Sequence, residues 1–354
     1  MDSYASYIDQ AVDLLCQLVS TPSTSRSEGE AAALLVRFMK DEKLCPQRKA
    51  NNVWTTSRHY DSARPTLLLN AHIDTVPPAK SWTRNPFQPS IEGDKIFGLG
   101  TNDDGASLVT LLQAFRILSD KPQPYNLIFL ASAEEEVSGS NGISAALPLL
   151  PPVSVAVVGE PTLMQPATVE KGLMVIDATA HGRAGHAARN EGINAIDIAT
   201  DDILTLRNFA FPRTSPLLGQ VKATVTVING GTRHNIIPDA CTFTIDVRSN
   251  ELYTNQEIFD ILCQKLRSEL KARSFRLNSS CISQQHPLVQ RALALGLTPY
   301  GSPTLSDRAL MTFPALKLGP GDPARSHSAD EFVCISEIEH ALEVYLALLD
   351  GLHI

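Results

Sequence analysis

The hydrophobic pattern along the chain switches between two periods. Ile8, Val12, Leu15 and Val19 recur at helical spacing, and Glu28 to Met39 repeat that spacing after the turn-rich TPSTSRS segment, so two helices open the chain. The run Leu67, Leu68, Leu69 in TLLLNAHIDTVP then shows no polar alternation, which predicts a strand covered on both faces, as in a parallel or mixed sheet between helices. NLIFLASA and SVAVVGEPT have the same character. Between the first two of these strands the chain bends at Gly98 and Gly100 and enters a helix near Ala106, with Leu108, Val109, Leu112, Phe115 and Leu118 as its apolar face.

From about Leu173 the pattern changes. LMVIDATA reads as a strand, Ile193 to Leu206 as a helix, VKATVTVI and CTFTIDVR as cleanly alternating strands, Gln256 to Leu270 as a helix, and SFRLNSSCI as a last strand. The order β-α-β-β-α-β is the ferredoxin-like split unit, an α+β domain inserted into an α/β one. The expected layout is residues 1–172 for the first segment of the α/β domain, 173–285 for the insert and 286–354 for the second segment. That segment closes with a helix capped by Ser336, with Glu339 three residues on.

The ends of the apolar strands carry the candidate chemistry. His72 and Asp74 follow the first strand, Glu134, Glu135 and Glu136 the second, and Glu160 the third, and the carboxyl ends of such strands are where ligands bind. His72 and Asp74, two apart on extended backbone, point the same way, which lets the carboxylate fix the tautomer of a metal-binding imidazole. Each residue also has a plainer reading: a hydrogen-bonded turn for His72, a helix N-cap for Asp103 that Asp104 fills equally well, a turn carboxylate for Glu160, a loop histidine for His327. Three Glu in a row would ordinarily be a wet surface, yet here they follow a fully apolar strand with no intervening turn. Taken together, His72, Asp103, Glu136, Glu160 and His327 suit one or two zinc-like ions, because imidazole ligands favour zinc over magnesium or calcium. Asp103 is placed to bridge two ions, and Glu135, beside a ligand, is the natural general base toward water. No Gly-x-Ser-x-Gly elbow occurs.

Composition narrows the picture further. A length of 354 residues predicts two domains, and a net charge of -8 argues against nucleic acid as a partner. The six cysteines are scattered, as in reduced thiols of a cytoplasmic protein. The N-terminus holds Asp2, Asp9 and Asp13 and lacks the basic region of a signal peptide, and no apolar run is long enough to cross a membrane.

With AHIDTVP, GLGTNDDG, SAEEEVSG, VVGEPT, GHAARNEGINAI, HNIIPDACTFTIDVR and GPGDPARSHSADE in order, the chain resembles the M20 family of metallopeptidases and deacylases, the group that holds acetylornithine deacetylase and succinyl-diaminopimelate desuccinylase. The resemblance implies a zinc-exopeptidase-like catalytic domain with an inserted lid that mediates a homodimer. It assigns His72 and Glu160 to one zinc, Glu136 and His327 to the other, and Asp103 to both, with cobalt an alternative metal. Glu135 is the implied general base, Asp74 the residue that orients His72, and His186 an imidazole that reaches a partner subunit's site to polarise the scissile carbonyl. Asn235 and Arg248 are implied substrate contacts, Arg248 toward a carboxylate. Three departures stand out: Glu134 replaces the usual Asp, Asp-Gly replaces Lys-Gly after Asp103, and Ala187 replaces a serine after His186. The implied substrate is a small N-acyl amino acid, N2-acetylornithine, acetylcitrulline or succinylornithine, in arginine biosynthesis. Rivals are a desuccinylase, an acetyl-lysine deacetylase, a dipeptidase, or an inactive binding relative; the last should lack a core ligand, and none is missing.

Overall fold

A sheet built around two wholly buried strands, Thr66–His72 and Asn126–Ser132, supports the candidate residues. The computed structural model describes residues 4–189 and 191–354, so Asn190 of the HGRAGHAARNEG loop and the first three residues, Asp2 included, lie outside the description. Thr66–His72 runs parallel to Asn126–Ser132 on one side and to Val155–Val158 on the other, and Ala315–Lys317 extends the parallel run beside Val155–Val158. Asn52–Thr56 adds an antiparallel strand beyond Asn126–Ser132, which makes the sheet mixed. Register puts His72 opposite Ser132 and Asn70 opposite Val158, so the ends of three parallel strands that carry the candidate ligands finish level with one another.

The lack of polar alternation has a direct cause. Leu67 and Leu69 pack with Leu14, Leu15, Leu112, Phe115 and Tyr345 on one face, while Leu68 packs with Trp54, Ile128 and Ile143 on the other. Both faces are dry, so Leu67, Leu68 and Leu69 run on without a polar residue on either face, and the polar Asn70 and His72 come only toward the strand's carboxyl end. The helix Ala106–Ser119 begins where the sequence places it but is buried nearly all round, since helices Ala5–Val19 and Ile335–Leu349 share its core.

The chain divides into two compact units: residues 1–168, 282–300 and 306–354 form one, and 169–281 with 301–305 form the other. The seams thus fall about four residues before the expected 173 and 286, and a short stretch near residue 303 groups with the insert. The second unit is an antiparallel four-stranded sheet in the order Lys222–Gly230, Ala240–Arg248, Met174–His181, Glu269–Ala272. Helices Ala195–Asn208 and Asn255–Lys265 complete the β-α-β-β-α-β order, and Ala195, Ala199, Ile258 and Leu262 join Ile176, Phe243 and Ile245 in its core.

Three local expectations are corrected. The helix expected to reach Leu270 stops at Lys265, and the last strand is Glu269–Ala272 rather than SFRLNSSCI. The cause is Asp202, whose buried carboxylate accepts from the Arg267 and Ser268 main-chain N–H groups (3.0 and 2.8 Å) and pulls them out of the helical ladder. Likewise the last helix starts at Ile335: Glu337 folds back onto the Cys334 N–H at 2.8 Å, and the Ser336 hydroxyl donates to Asp94 at 2.6 Å instead of capping.

Candidate metal centre

His72 is the last residue of its strand and is 2 % exposed. Its Nε2 lies 3.1 Å from Asp103 Oδ1, and its Nδ1 lies 2.9 Å from the main-chain carbonyl of Asp74. A carbonyl can only accept, so Nδ1 carries a proton, and Nε2 is the nitrogen that donates to Asp103 when the ring is charged and that would offer its lone pair to a metal. The role expected of the Asp74 carboxylate is therefore shared: its main chain fixes the tautomer, and its Oδ1 sits 3.7 Å from Nδ1. The carboxylate mainly organises the neighbouring strand end, where it accepts from the N–H groups of Glu135 (2.9 Å) and Glu136 (3.1 Å) and from the Ser25 hydroxyl (2.7 Å).

Asp103 leaves the bend at Gly98–Gly100 with non-helical backbone, φ -123 and ψ 96, and caps no helix. Its Oδ1 faces His72 and its Oδ2 lies 3.7 Å from His327 Nε2, so one carboxylate stands between the two imidazoles. His327, at φ 55, also brings Nε2 within 3.0 Å of Glu136 Oε2. Asp104 caps nothing either: its buried Oδ2 accepts the His72 N–H at 3.3 Å. Glu160 lies 3.7 Å from the Lys317 ammonium, two residues beyond the level where Val158 and Lys317 pair.

Single ligand atoms of His72, Glu135 and Glu160 converge within 4.8 Å, as do those of His72, Asp103 and Glu136. The electrostatics fit a cation there. Burial first, and then the Glu160 charge, push the Glu135 carboxyl well above its ordinary range; burial does the same to Glu160 against the pull of Lys317, and raises Asp104 to about 7. Burial opposes the charged His72, yet the Asp103 hydrogen bond and the surrounding Glu135, Asp104 and Asp74 charges outweigh it and raise its pKa well above 6.5. His327 is raised chiefly by its hydrogen bond to Glu136. Carboxylates this crowded repel one another, and a divalent ion held by the imidazoles and carboxylates relieves that repulsion.

Several functional neighbours escape sequence reading. Asp307 accepts from Ser132 Oγ (2.6 Å) and Asn70 Nδ2 (3.2 Å), beneath the strand ends, and Glu331 binds the Asp103 loop. Glu134, in place of the usual Asp, spans the turn after its strand by accepting from Asn141 Nδ2 at 3.1 Å.

The remaining predicted residues belong to the second unit. His186 is exposed and pairs across a two-stranded ribbon with Ile236; Asn235, also exposed, accepts the Ala187 N–H on its main-chain carbonyl at 3.1 Å. The Ala188 N–H donates to His186 Nδ1 at 3.1 Å, which assigns the ring proton to Nε2. Arg248 lies on the polar side of its strand and faces Asp246 with Nε at 2.8 Å and Nη2 at 3.2 Å. Among the described residues, no helix is long and apolar enough to cross a membrane.

Residues 68–351 match the Peptidase family M20/M25/M40. An acetylornithine deacetylase of Proteus mirabilis is 27% identical to the chain, over 96% of each protein. Among solved structures, a tripeptidase of Staphylococcus aureus superposes with a TM-score of 0.77 at 20% identity, covering 97% of both chains. A dinuclear metal-binding M20 peptidase of Bacillus subtilis superposes with a TM-score of 0.73 at 17% identity, again over 97% of both.

Proposed function

The chain belongs to the M20/M25/M40 peptidase family and is a metal-dependent hydrolase, and on that premise we propose that it uses zinc to cleave the amide of an N-acylated amino acid, N2-acetylornithine or a close relative. The observation that carries the reading is Asp103, one carboxylate set between His72 and His327. The substrate class follows the Proteus relative, a deacetylase that matches end to end.

His72, Glu160, Glu136, His327 and Asp103 would hold the metal, with Asp103 shared. Bound there, zinc supplies Lewis acidity, which polarises the scissile carbonyl and makes water acidic enough to lose its proton near neutral pH. Glu135 takes that proton and returns it to the leaving nitrogen, a base and then an acid. Asp74 holds the Glu135 and Glu136 main chain, so base and ligand keep their separation. His186, with its proton on Nε2, donates to the carbonyl oxygen as negative charge develops. Arg248 and Asn235 receive the substrate, Arg248 through its α-carboxylate. The chains pair as a homodimer through the second unit, whose terminal strand Lys222–Gly230 exposes Val227 and Ile228. Six unpaired cysteines suit a cytoplasmic setting.

The test is a panel of acetyl- and succinyl-ornithine, citrulline, lysine and diaminopimelate, with dipeptides, assayed before and after chelation. Acetylornithine or acetylcitrulline should give the highest kcat/KM, chelation should abolish turnover, and zinc or cobalt should restore it. Unchanged turnover after the metal is stripped, or a clear preference for dipeptides, would sink the deacylase reading. A second expectation concerns Arg248→Ala, which should raise KM for the free acid at least about 10-fold and leave the fold intact, because the side chain is on the polar face of the sheet. If the variant keeps the wild-type preference for free α-carboxylate over the methyl ester, Arg248 is not its partner.

A further inference from the structure

The loop that delivers Asp103 is irregular, so no helical or sheet ladder takes the N–H groups of Gly100, Asn102 and Asp103. One side chain does so. Glu331, 2 % exposed, accepts from the Gly100 N–H (3.0 Å), the Asn102 N–H (2.8 Å) and the Asp103 N–H (2.9 Å). Its own carbonyl accepts the Gly98 N–H at 3.0 Å, so this one residue grips the loop at four points. Glu331 also follows His327 by four positions, and Asn102 stitches the same two segments together through Asp322, accepting its N–H at 2.9 Å and donating to its carbonyl at 3.1 Å.

We propose that Glu331 is a positioning residue of the metal centre, which holds the Asp103 carboxylate between His72 and His327 by binding the main chain that carries it. The inference rests on the metal-hydrolase reading. Acceptor capacity explains why the residue must be an acid: Oε2 takes the Gly100 N–H and Oε1 those of Asn102 and Asp103, so both oxygens have to accept. An anion surrounded by converging N–H groups is stabilised by all of them at once, whereas an amide in its place would turn an NH2 toward donors. The loop would then have to shift to find other partners, taking Asp103 out of line with one imidazole. Outer partners of this kind typically set metal affinity by about 10- to 100-fold.

The experiment titrates zinc into metal-stripped protein against a chromophoric chelator, and records the visible spectrum of the cobalt-substituted protein, for wild type, Glu331→Gln and Glu331→Asp. Glu331→Gln should bind at least one ion about 10- to 100-fold more weakly and show an altered cobalt spectrum, with kcat falling more than KM rises. Glu331→Asp, which keeps the charge but is one methylene shorter, should fall between the two, and it carries the test by itself if the Gln variant does not fold. Asp202→Asn, in the second unit, serves as the destabilised control and should lower the melting temperature without moving metal affinity. Wild-type zinc affinity and an unchanged cobalt spectrum in a folded Glu331 variant would overturn the proposal. A wild-type chain that takes up no metal would instead overturn the metal reading on which it stands.

Discussion

Glu135→Gln is expected to fold, to retain its metal and to lose at least about 10² to 10⁴ in turnover, the contribution of a positioned acid-base group. The expectation comes from how the second strand ends. Ser132 closes the strand opposite His72, and Asp74 then takes the Glu135 and Glu136 N–H groups at 2.9 and 3.1 Å, which fixes where the two side chains start. Glu136 turns to His327 at 3.0 Å. Glu135 keeps some exposure and converges with His72 and Glu160, where burial and the Glu160 charge push its pKa up. That is the direction a base needs if it is to keep a proton between accepting and returning it. Because Glu135 also lies within reach of a metal held by His72 and Glu160, zinc content must be measured together with kcat. Near-normal turnover would remove Glu135 from the mechanism, and loss of an ion in step with turnover would make it a ligand.

His186→Ala should cost about 10² to 10³ in rate, as loss of one donor to a developing oxyanion does. The same variant tests whether the site is shared between chains. His186 belongs to a unit that, among the described residues, contains none of the converging ligand groups. Its Nδ1 accepts the Ala188 N–H, which leaves an Nε2–H donor on an exposed side chain. In a two-fold dimer, a chain bearing His186→Ala keeps its own Glu135 and borrows the imidazole of a partner bearing Glu135→Gln. Random pairing makes about half the dimers mixed, each with one whole site, so co-expression of the two nearly inactive variants should restore roughly a quarter of wild-type activity. If mixed dimers form and remain as inactive as their parents, His186 does not act across an interface.

The strand ends were legible in the sequence because burial leaves a local trace. A strand dry on both faces keeps charged residues out of its middle, so the first charged or imidazole groups after Leu69, Leu130 and Val158 mark the rim of the sheet. That alone brought His72, Glu135, Glu136 and Glu160 into view, and the switch to alternating strands after Leu173 outlined the ferredoxin-like unit. The family resemblance added His186, Asn235 and Arg248, which no local pattern marks.

Tertiary structure decided what each carboxylate binds. Asp103 and Asp104 read equally well as helix caps, and neither is one; His72 claims both, through its ring and its main chain. Asp202 ends a helix from 65 residues away, and Glu331 grips a loop 228 residues earlier in the chain than itself. Hydrophobic periodicity records only whether a position faces the core, because burial is averaged over many neighbours. A carboxylate's role depends on two or three N–H groups or imidazoles within about 3 Å, and which chain segment supplies them is fixed only when the strands and loops have been brought together.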